Sequence, residues 1–118
     1  MPSSEFNVIP IPSGEDTVIA INYAASSVAA HSLKTRSLKA EFRRRAFSPS
    51  VLFTASTDLA TILRPNNDDG SVTVLISLPA TATLKFPARG IFFRIFGLNV
   101  SAWVQVPGDW VWPVTRPA

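Results

Sequence analysis

The sequence predicts an all-β protein, folded as an antiparallel β-sandwich or barrel of about eight short strands. Three observations predict this class. Several segments alternate apolar and polar residues, β-branched and aromatic residues dominate them, and turn signals recur about every ten residues. Ten prolines and five glycines are spread along the chain, as expected for many short elements joined by turns. The helix–strand alternation of a nucleotide-binding α/β fold is missing.

The first predicted strand covers residues 6–11. Pro10 restricts it to an edge or to a strand end, because proline has no N–H to donate to a neighbouring strand. A turn at 13–16 leads to a second strand over Thr17–Tyr23. On that strand Thr17, Ile19, Ile21 and Tyr23 face one way, and Val18, Ala20 and Asn22 face the other.

The segment 24–46 combines features of a helix and of a strand. Its alanines permit a helix, which predicts a loop or short helix near 24–32. Leu38, Ala40 and Phe42 then alternate with charged residues, which predicts a charged strand from about 37 to 44.

The remaining strands follow in the second half of the chain. Short apolar stretches at 51–54 and 59–63 precede the clearest turn, at 66–70, where Asn, Asp and Gly tolerate left-handed backbone angles. The next strands are predicted over Val72–Leu78, Thr81–Phe86, Ile91–Leu98 and Val100–Val106, with a turn at 107–109 and a last strand over Trp110–Val114.

Length and composition limit the kind of protein. A chain of 118 residues fits one domain, 1–118, which can bury a core without covalent staples. The absence of cysteine excludes a disulfide framework, a thiolate metal site and a cysteine nucleophile. The first residues do not resemble a secretory signal, and we expect no membrane span because no stretch approaches roughly 20 apolar residues.

No catalytic, cofactor or metal motif rises above background, so we expect a protein that is not an enzyme and that needs no cofactor. His31 is the only histidine, and nothing around it marks a nucleophile. One histidine without cysteine cannot complete the shell of a transition metal. The Asn and Asp residues at 66–69 are usual for a turn, and their spacing fits no calcium loop.

The positive charge is concentrated in one segment, which we call the basic strip: Lys34, Arg36, Lys39, Arg43, Arg44 and Arg45. These are six of the eleven basic residues; without them and Glu41, five basic and seven acidic residues remain, a net charge of −2. The strip could neutralise phosphates of a nucleic acid, with Phe42 and Phe47 stacking on bases. It could equally contact an acidic partner chain, or be a solvated strand whose charges prevent edge pairing.

A second candidate surface is aromatic and consists of Trp103, Trp110, Trp112 and Phe93. Trp110 and Trp112 are two residues apart, so they share one side of a strand. Paired tryptophans often anchor protein contacts. The segment 91–96 is apolar on both sides, as in a strand buried between two layers or in an interface. Ordinary core packing is the alternative interpretation.

Several general features of the sequence can be compared with those of known protein families. Short β-branched strands such as Val72–Leu78 are separated by Pro, Asn, Asp and Ser loops, and cysteine and histidine are scarce. The late aromatic strands run to a proline-rich end, residues 112–118. In these respects the chain resembles the coat proteins of small plus-strand RNA viruses. The resemblance implies a jelly-roll or a smaller projecting β-sandwich that self-assembles, located in the virion or the cytoplasm.

The chain also departs from that family. It is short for a complete shell domain, and its N-terminus lacks a long basic arm. Both departures favour a projection or accessory domain, or place the RNA contact at 34–45.

Three functions follow from these observations. The first is a structural protein that associates with itself into a homo-oligomer. The second is a nucleic-acid-binding β-barrel, in which Lys39, Phe42, Arg43 and Arg45 would share one face. The third is an accessory subunit or a module that binds protein or carbohydrate through the tryptophan surface.

Overall fold

The structure is a computed structural model that describes residues 10–45, 47–88 and 90–115. Within these residues the chain forms nine strands and two short helices, which confirms the predicted all-β class. In chain order they are β1 (Ile11–Pro12), β2 (Thr17–Tyr23), α1 (Ala25–His31), β3 (Leu38–Arg43), β4 (Phe53–Ser56), β5 (Ile62–Leu63), β6 (Val72–Leu78), α2 (Ala80–Thr83), β7 (Ile91–Asn99), β8 (Ala102–Trp112) and β9 (Val114–Thr115).

Two antiparallel sheets contain most of the strands. One has three strands in the order β2-β6-β5, and the other has four in the order β4-β3-β7-β8. The strands alternate between buried and more accessible residues, as expected where one side of a sheet covers a core. The buried sides of both sheets belong to the same hydrophobic cluster, so the two sheets share a common core.

Phe42 of β3 contacts three other aromatic rings in this core. It is fully buried and stacks on Phe93 of β7 with 4.7 Å between ring centroids and on Phe86 with 5.6 Å. Phe53 of β4 adds a tilted contact at 6.1 Å. Because Phe86 follows α2, this cluster attaches the α2 segment to the four-stranded sheet.

Several predicted elements are confirmed. Thr17–Tyr23 and Val72–Leu78 form strands with the predicted bounds, and they pair with each other so that Ala20 lies opposite Leu75. The short helix near 24–32 is α1, and the charged strand near 37–44 is β3. In the turn at 66–70, the N–H of Gly70 donates to the carbonyl of Asn67 at 3.1 Å. Gly70 has φ +88°, which explains glycine there.

The predicted strand over Thr81–Phe86 is wrong, because the chain forms α2 there and then a turn. Tertiary hydrogen bonds select the helix. The buried Thr83 hydroxyl donates to the carbonyl of Glu15 at 2.9 Å and accepts from the N–H of Gly14 at 3.0 Å. The carboxylate of Asp16 accepts from the N–H of Ala80 at 2.7 Å, which satisfies a donor in the first turn.

The predicted turn at 107–109 is also wrong, because β8 runs through it without a break. Arg94 pairs with Asp109 and Phe96 with Gln105, so residues 106–108 all lie opposite Ile95. This is a β-bulge at the edge of the four-stranded sheet, where a proline can be accommodated without losing a pairing partner. Of the predicted first strand, residues 6–9 lie outside the described residues, and β1 begins at Ile11.

Candidate interaction surfaces

The strand β3 places two members of the basic strip on one face of its sheet. Leu38, Ala40 and Phe42 are buried, so Lys39 and Arg43 lie on the outer face together with Glu41. The Glu41 carboxylate lies 3.2 Å from Lys39 Nζ and accepts a hydrogen bond from Arg43 Nη2 at 3.0 Å. Arg43 Nη1 also donates to the carbonyl of Ser48. One carboxylate therefore serves two cations, and this part of the strip is partly neutralised.

Glu41 stays ionised in this arrangement. Partial burial alone would raise the pKa of its carboxyl group, but hydrogen bonds from Arg43 and Lys39 and their positive charges hold the pKa below its usual value. The three side chains thus form an ion-pair network along the accessible side of β3.

Lys39 also joins the basic strip to the aromatic surface. Its Nζ lies 4.6 Å from the ring centroid of Trp103 on β8 and 5.7 Å from that of Phe96 on β7. On the same face, the Arg94 guanidinium lies 4.9 Å from the Phe92 ring centroid. Cations over aromatic rings are attracted by the negative ring faces. The outer face of the four-stranded sheet therefore combines charge with aromatic surface.

Arg36 has a structural role within the basic strip. Its guanidinium donates to three backbone carbonyls, those of His31, Gly97 and Leu98, at 3.0, 3.0 and 3.1 Å. The His31 carbonyl belongs to the last residue of α1, whose acceptors have no partner inside the helix. Arg36 therefore fixes the end of α1 to the end of β7, and its donors face the chain itself.

The exposed cations of the strip lie outside the strand. Lys34 is exposed after α1, and Arg44 and Arg45 are exposed after β3. Arg44, Arg45 and Phe47 line a shallow groove, and the Phe47 side chain is 93% exposed. Phe42 cannot share a face with Lys39 and Arg43 as predicted, because it points into the core from the opposite side of β3.

The predicted tryptophan surface is largely internal. Phe93 is fully buried and Trp112 is 3% exposed, so these two residues are core residues and their assignment to an interface is corrected. Trp110 and Trp112 share a side of β8 as predicted, but it is the inner side, where both rings lie against Phe93. Of the predicted set, only Trp103 is substantially accessible, at 37%.

Trp110 connects the two sheets. Its side chain lies beside that of Tyr23 on β2. Burial raises the pKa of Tyr23 to about 12, and the neighbouring Trp110 side chain offsets part of that rise.

The three-stranded sheet presents a second accessible face, which we call the neutral face. Its members are Val18, Ala20 and Asn22 of β2, Thr73, Leu75 and Ser77 of β6, and Leu63 of β5. No member carries a charge, and Val18 and Leu63 are 60% and 54% exposed. Sequence reasoning placed Val18, Ala20 and Asn22 on one side of a strand but did not recognise a site. The feature of the sequence that indicates this face is the absence of Lys, Glu and Arg from the solvent side of two strands.

The described residues offer no sign of metal chemistry or of a membrane helix. No group of three or more His, Cys, Asp or Glu side chains lies close enough among them to hold a metal ion. None of the helices in the described ranges is long and apolar enough to cross a membrane.

Comparison with known proteins gives no family for this chain. No family model matches the sequence, and a search of curated proteins gives no match either.

Proposed function

We propose that this protein is a structural, self-associating β-sandwich component, of the capsid or capsid-projection type, that acts through protein–protein contacts. The neutral face is the observation that carries the proposal. Contiguous exposed surface of low polarity on a soluble protein commonly marks a contact site. Here Val18, Leu63 and Leu75 lie on the solvent-facing side of the three-stranded sheet. On such a side, charged side chains ordinarily alternate along each strand with the buried residues of the core.

The distribution of charge supports the same proposal. The four-stranded sheet carries Lys39, Glu41, Arg43 and Arg94 on its accessible side, whereas the neutral face carries none. Charges on an outer face keep that face hydrated, and their absence lowers the cost of removing water on contact. Removing water from the neutral face on association therefore costs less free energy than removing it from the charged face of the other sheet.

Light scattering over a protein concentration series tests the proposal. We expect the mean mass to rise above the 12.8 kDa of one chain as concentration increases. Val18→Glu places a charge on the neutral face and should reduce association. Val111→Glu is the matched control, because Val111 is 71% exposed on the other sheet. A wild-type chain that stays monomeric at high concentration would contradict the proposal.

Nucleic-acid binding is a second candidate function. Arg44 and Arg45 are exposed next to Phe47, whose ring is almost fully accessible. Cations beside an accessible ring can neutralise phosphates while the ring stacks on a base. The matching surface is small, since Arg36 and Arg43 donate to backbone carbonyls.

Fluorescence anisotropy with labelled single-stranded RNA at two salt concentrations tests this candidate. If it is correct, affinity falls steeply as salt rises. The double variant Arg44→Gln/Arg45→Gln should then bind more weakly than Lys34→Gln, which removes a single exposed cation elsewhere. The absence of binding at low salt would exclude the candidate.

A further inference from the structure

Within the residues that the structure describes, the strand β2 has one open edge. It pairs with β6 over its whole length, and no other strand of the described residues pairs with its second side. An open edge presents unpaired N–H and C=O groups to any strand that can approach it.

The hydrogen bonds of β6 show which backbone N–H and C=O groups of β2 point away from β6. The N–H of Thr73 donates to Pro65 at 3.2 Å and that of Ser77 to Thr61 at 2.8 Å, so these two residues face β5. Because adjacent residues of a strand point their backbone groups in opposite directions, the residues between them face β2. Their partners on β2 are Thr17, Ile19, Ile21 and Tyr23. The backbone groups of Val18, Ala20 and Asn22 therefore point outward from the open edge.

The open edge of β2 also lacks the features that normally prevent pairing. It is seven residues long and contains no charge, proline, glycine or bulge. The other edge strands differ. β4 has four residues and β5 has two, and β8 contains the bulge opposite Ile95 and Pro107 within it. Of the edges in the described part of the chain, that of β2 is the best template for another strand.

We propose that two copies of this chain pair through β2, antiparallel and centred on Ala20, so that their three-stranded sheets become one sheet of six strands. The inference rests on the proposed self-association and places its contact at the edge of the sheet that carries the neutral face. An antiparallel strand complements a copy of itself about a twofold axis, as a closed dimer requires. Centring on Ala20 pairs Val18 with Asn22 of the second copy and uses all three outward-facing residues, for about six backbone hydrogen bonds.

The side chains fit the same register. Ala20 lies opposite Ala20 of the second copy, and two small side chains leave the neutral face continuous across the axis. On the core side, Ile19 lies opposite Ile21 of the second copy, which pairs two β-branched side chains. Asp16 lies opposite the uncharged Ala24 of the second copy, so the register places no like charges opposite each other.

Disulfide trapping tests the register. The chain has no cysteine, so a disulfide in Ala20→Cys can form only between two copies. Residues of a hydrogen-bonded antiparallel pair have Cα atoms about 5.5 Å apart, which suits a disulfide. We expect Ala20→Cys to form covalent dimers about tenfold faster or more than the control Val104→Cys, because pairing raises the local thiol concentration. Val104 is 47% exposed on β8. Equal rates would overturn the register.

Charge reversal at the axis tests the contact without oxidation. Ala20→Lys and Ala20→Glu each place like charges opposite each other in a homodimer, so we expect each variant alone to have the mass of one chain. Mixing the two should restore the dimer mass, which also shows that both variants fold. Val111→Lys is the control and should leave the mass unchanged.

The outcomes separate this inference from the proposed function. If wild type is monomeric, both are wrong. If wild type associates, Ala20→Lys and Ala20→Glu remain associated and Ala20→Cys gives no excess of dimer, the β2 contact is wrong and self-association stands on another surface.

Discussion

Arg36 shows how one side chain can resemble a ligand-binding residue and serve the fold instead. Its three donors hold the end of α1 against the end of β7. The guanidinium lies so close to the strand that a Cβ on Gly97 would be 3.0 Å from Arg36 Cζ. A glycine at position 97 is what leaves room for it.

Replacing Arg36 by lysine should destabilise the protein by about 2 kcal/mol, because one ammonium group cannot reach three carbonyls in fixed directions. The free energy of unfolding in urea measures the effect. Lys34→Ala, at an exposed position two residues earlier, should change it by no more than about 0.5 kcal/mol. Equal effects of the two substitutions would show that the carbonyl contacts contribute little.

Tyr23 makes stability depend on pH at the alkaline end. Its pKa is about 12 in the folded chain, against 10.0 for an unperturbed tyrosine. Below pH 10 the side chain keeps its proton in both states. Between the two values only the unfolded chain loses the proton, so the free energy of unfolding falls as pH rises, by about 3 kcal/mol in total.

Tyr23→Phe should remove this part of the alkaline loss. Urea unfolding of both proteins at about pH 9 and about pH 12 measures the difference between them, since their lysines titrate alike. Tyr23 is the only tyrosine, so tyrosinate absorbance reports its ionisation directly. A tyrosinate signal that appears near pH 10 in the folded protein would contradict the prediction.

The elements that could be predicted from the sequence are those in which the alternation of apolar and polar residues fits a strand and no other element. Val72–Leu78 alternates without exception, and its burial follows that alternation residue by residue. Thr81–Phe86 also alternates, but small residues such as Ala and Thr fit a helix as well. There the hydrogen bonds that Thr83 and Asp16 make with distant parts of the chain decide between helix and strand. No local sequence pattern shows these hydrogen bonds.

Thr83→Val should destabilise the protein by about 2 kcal/mol. Valine has nearly the shape of threonine but leaves the carbonyl of Glu15 and the N–H of Gly14 without the Thr83 hydroxyl as their partner. Thermal or urea unfolding measures the change. Thr81→Val is the matched control, because Thr81 is exposed on the same helix, and its effect should stay within about 0.5 kcal/mol. If Thr83→Val is neutral, these hydrogen bonds do not select α2.

Across the whole molecule, the sequence showed how much charge there is but not how it is divided between surfaces. The basic strip looked like one site, yet its members lie in three environments: Arg36 against the backbone, Lys39 and Arg43 beside Glu41, and Lys34, Arg44 and Arg45 in solvent. Predicting this division requires the register of β3 and the position of Glu41 on the same face. The neutral face was equally hidden, because it forms only when β2 and β6 pair.

The common core holds the two sheets together, and a substitution of Phe42 tests this core directly. Phe42→Ala should cost about 4 kcal/mol, because it removes a fully buried ring that contacts Phe53, Phe86 and Phe93. Urea unfolding followed by far-ultraviolet circular dichroism measures the loss. Phe47→Ala removes the same side chain from an exposed position and should have almost no effect. Similar losses in both variants would contradict the assigned core.

The parallel pairing of β1 with β9 has a mechanical consequence. Ile11 and Ser13 donate to Pro113 and Thr115 at 2.9 and 2.7 Å, and the two strands point the same way. Tension that pulls β1 and β9 apart along the chain would slide one past the other, loading both bonds at once. An antiparallel pair pulled from its adjacent ends would instead open one bond after another. Stretching force therefore meets a short shear clamp before it reaches the sheets.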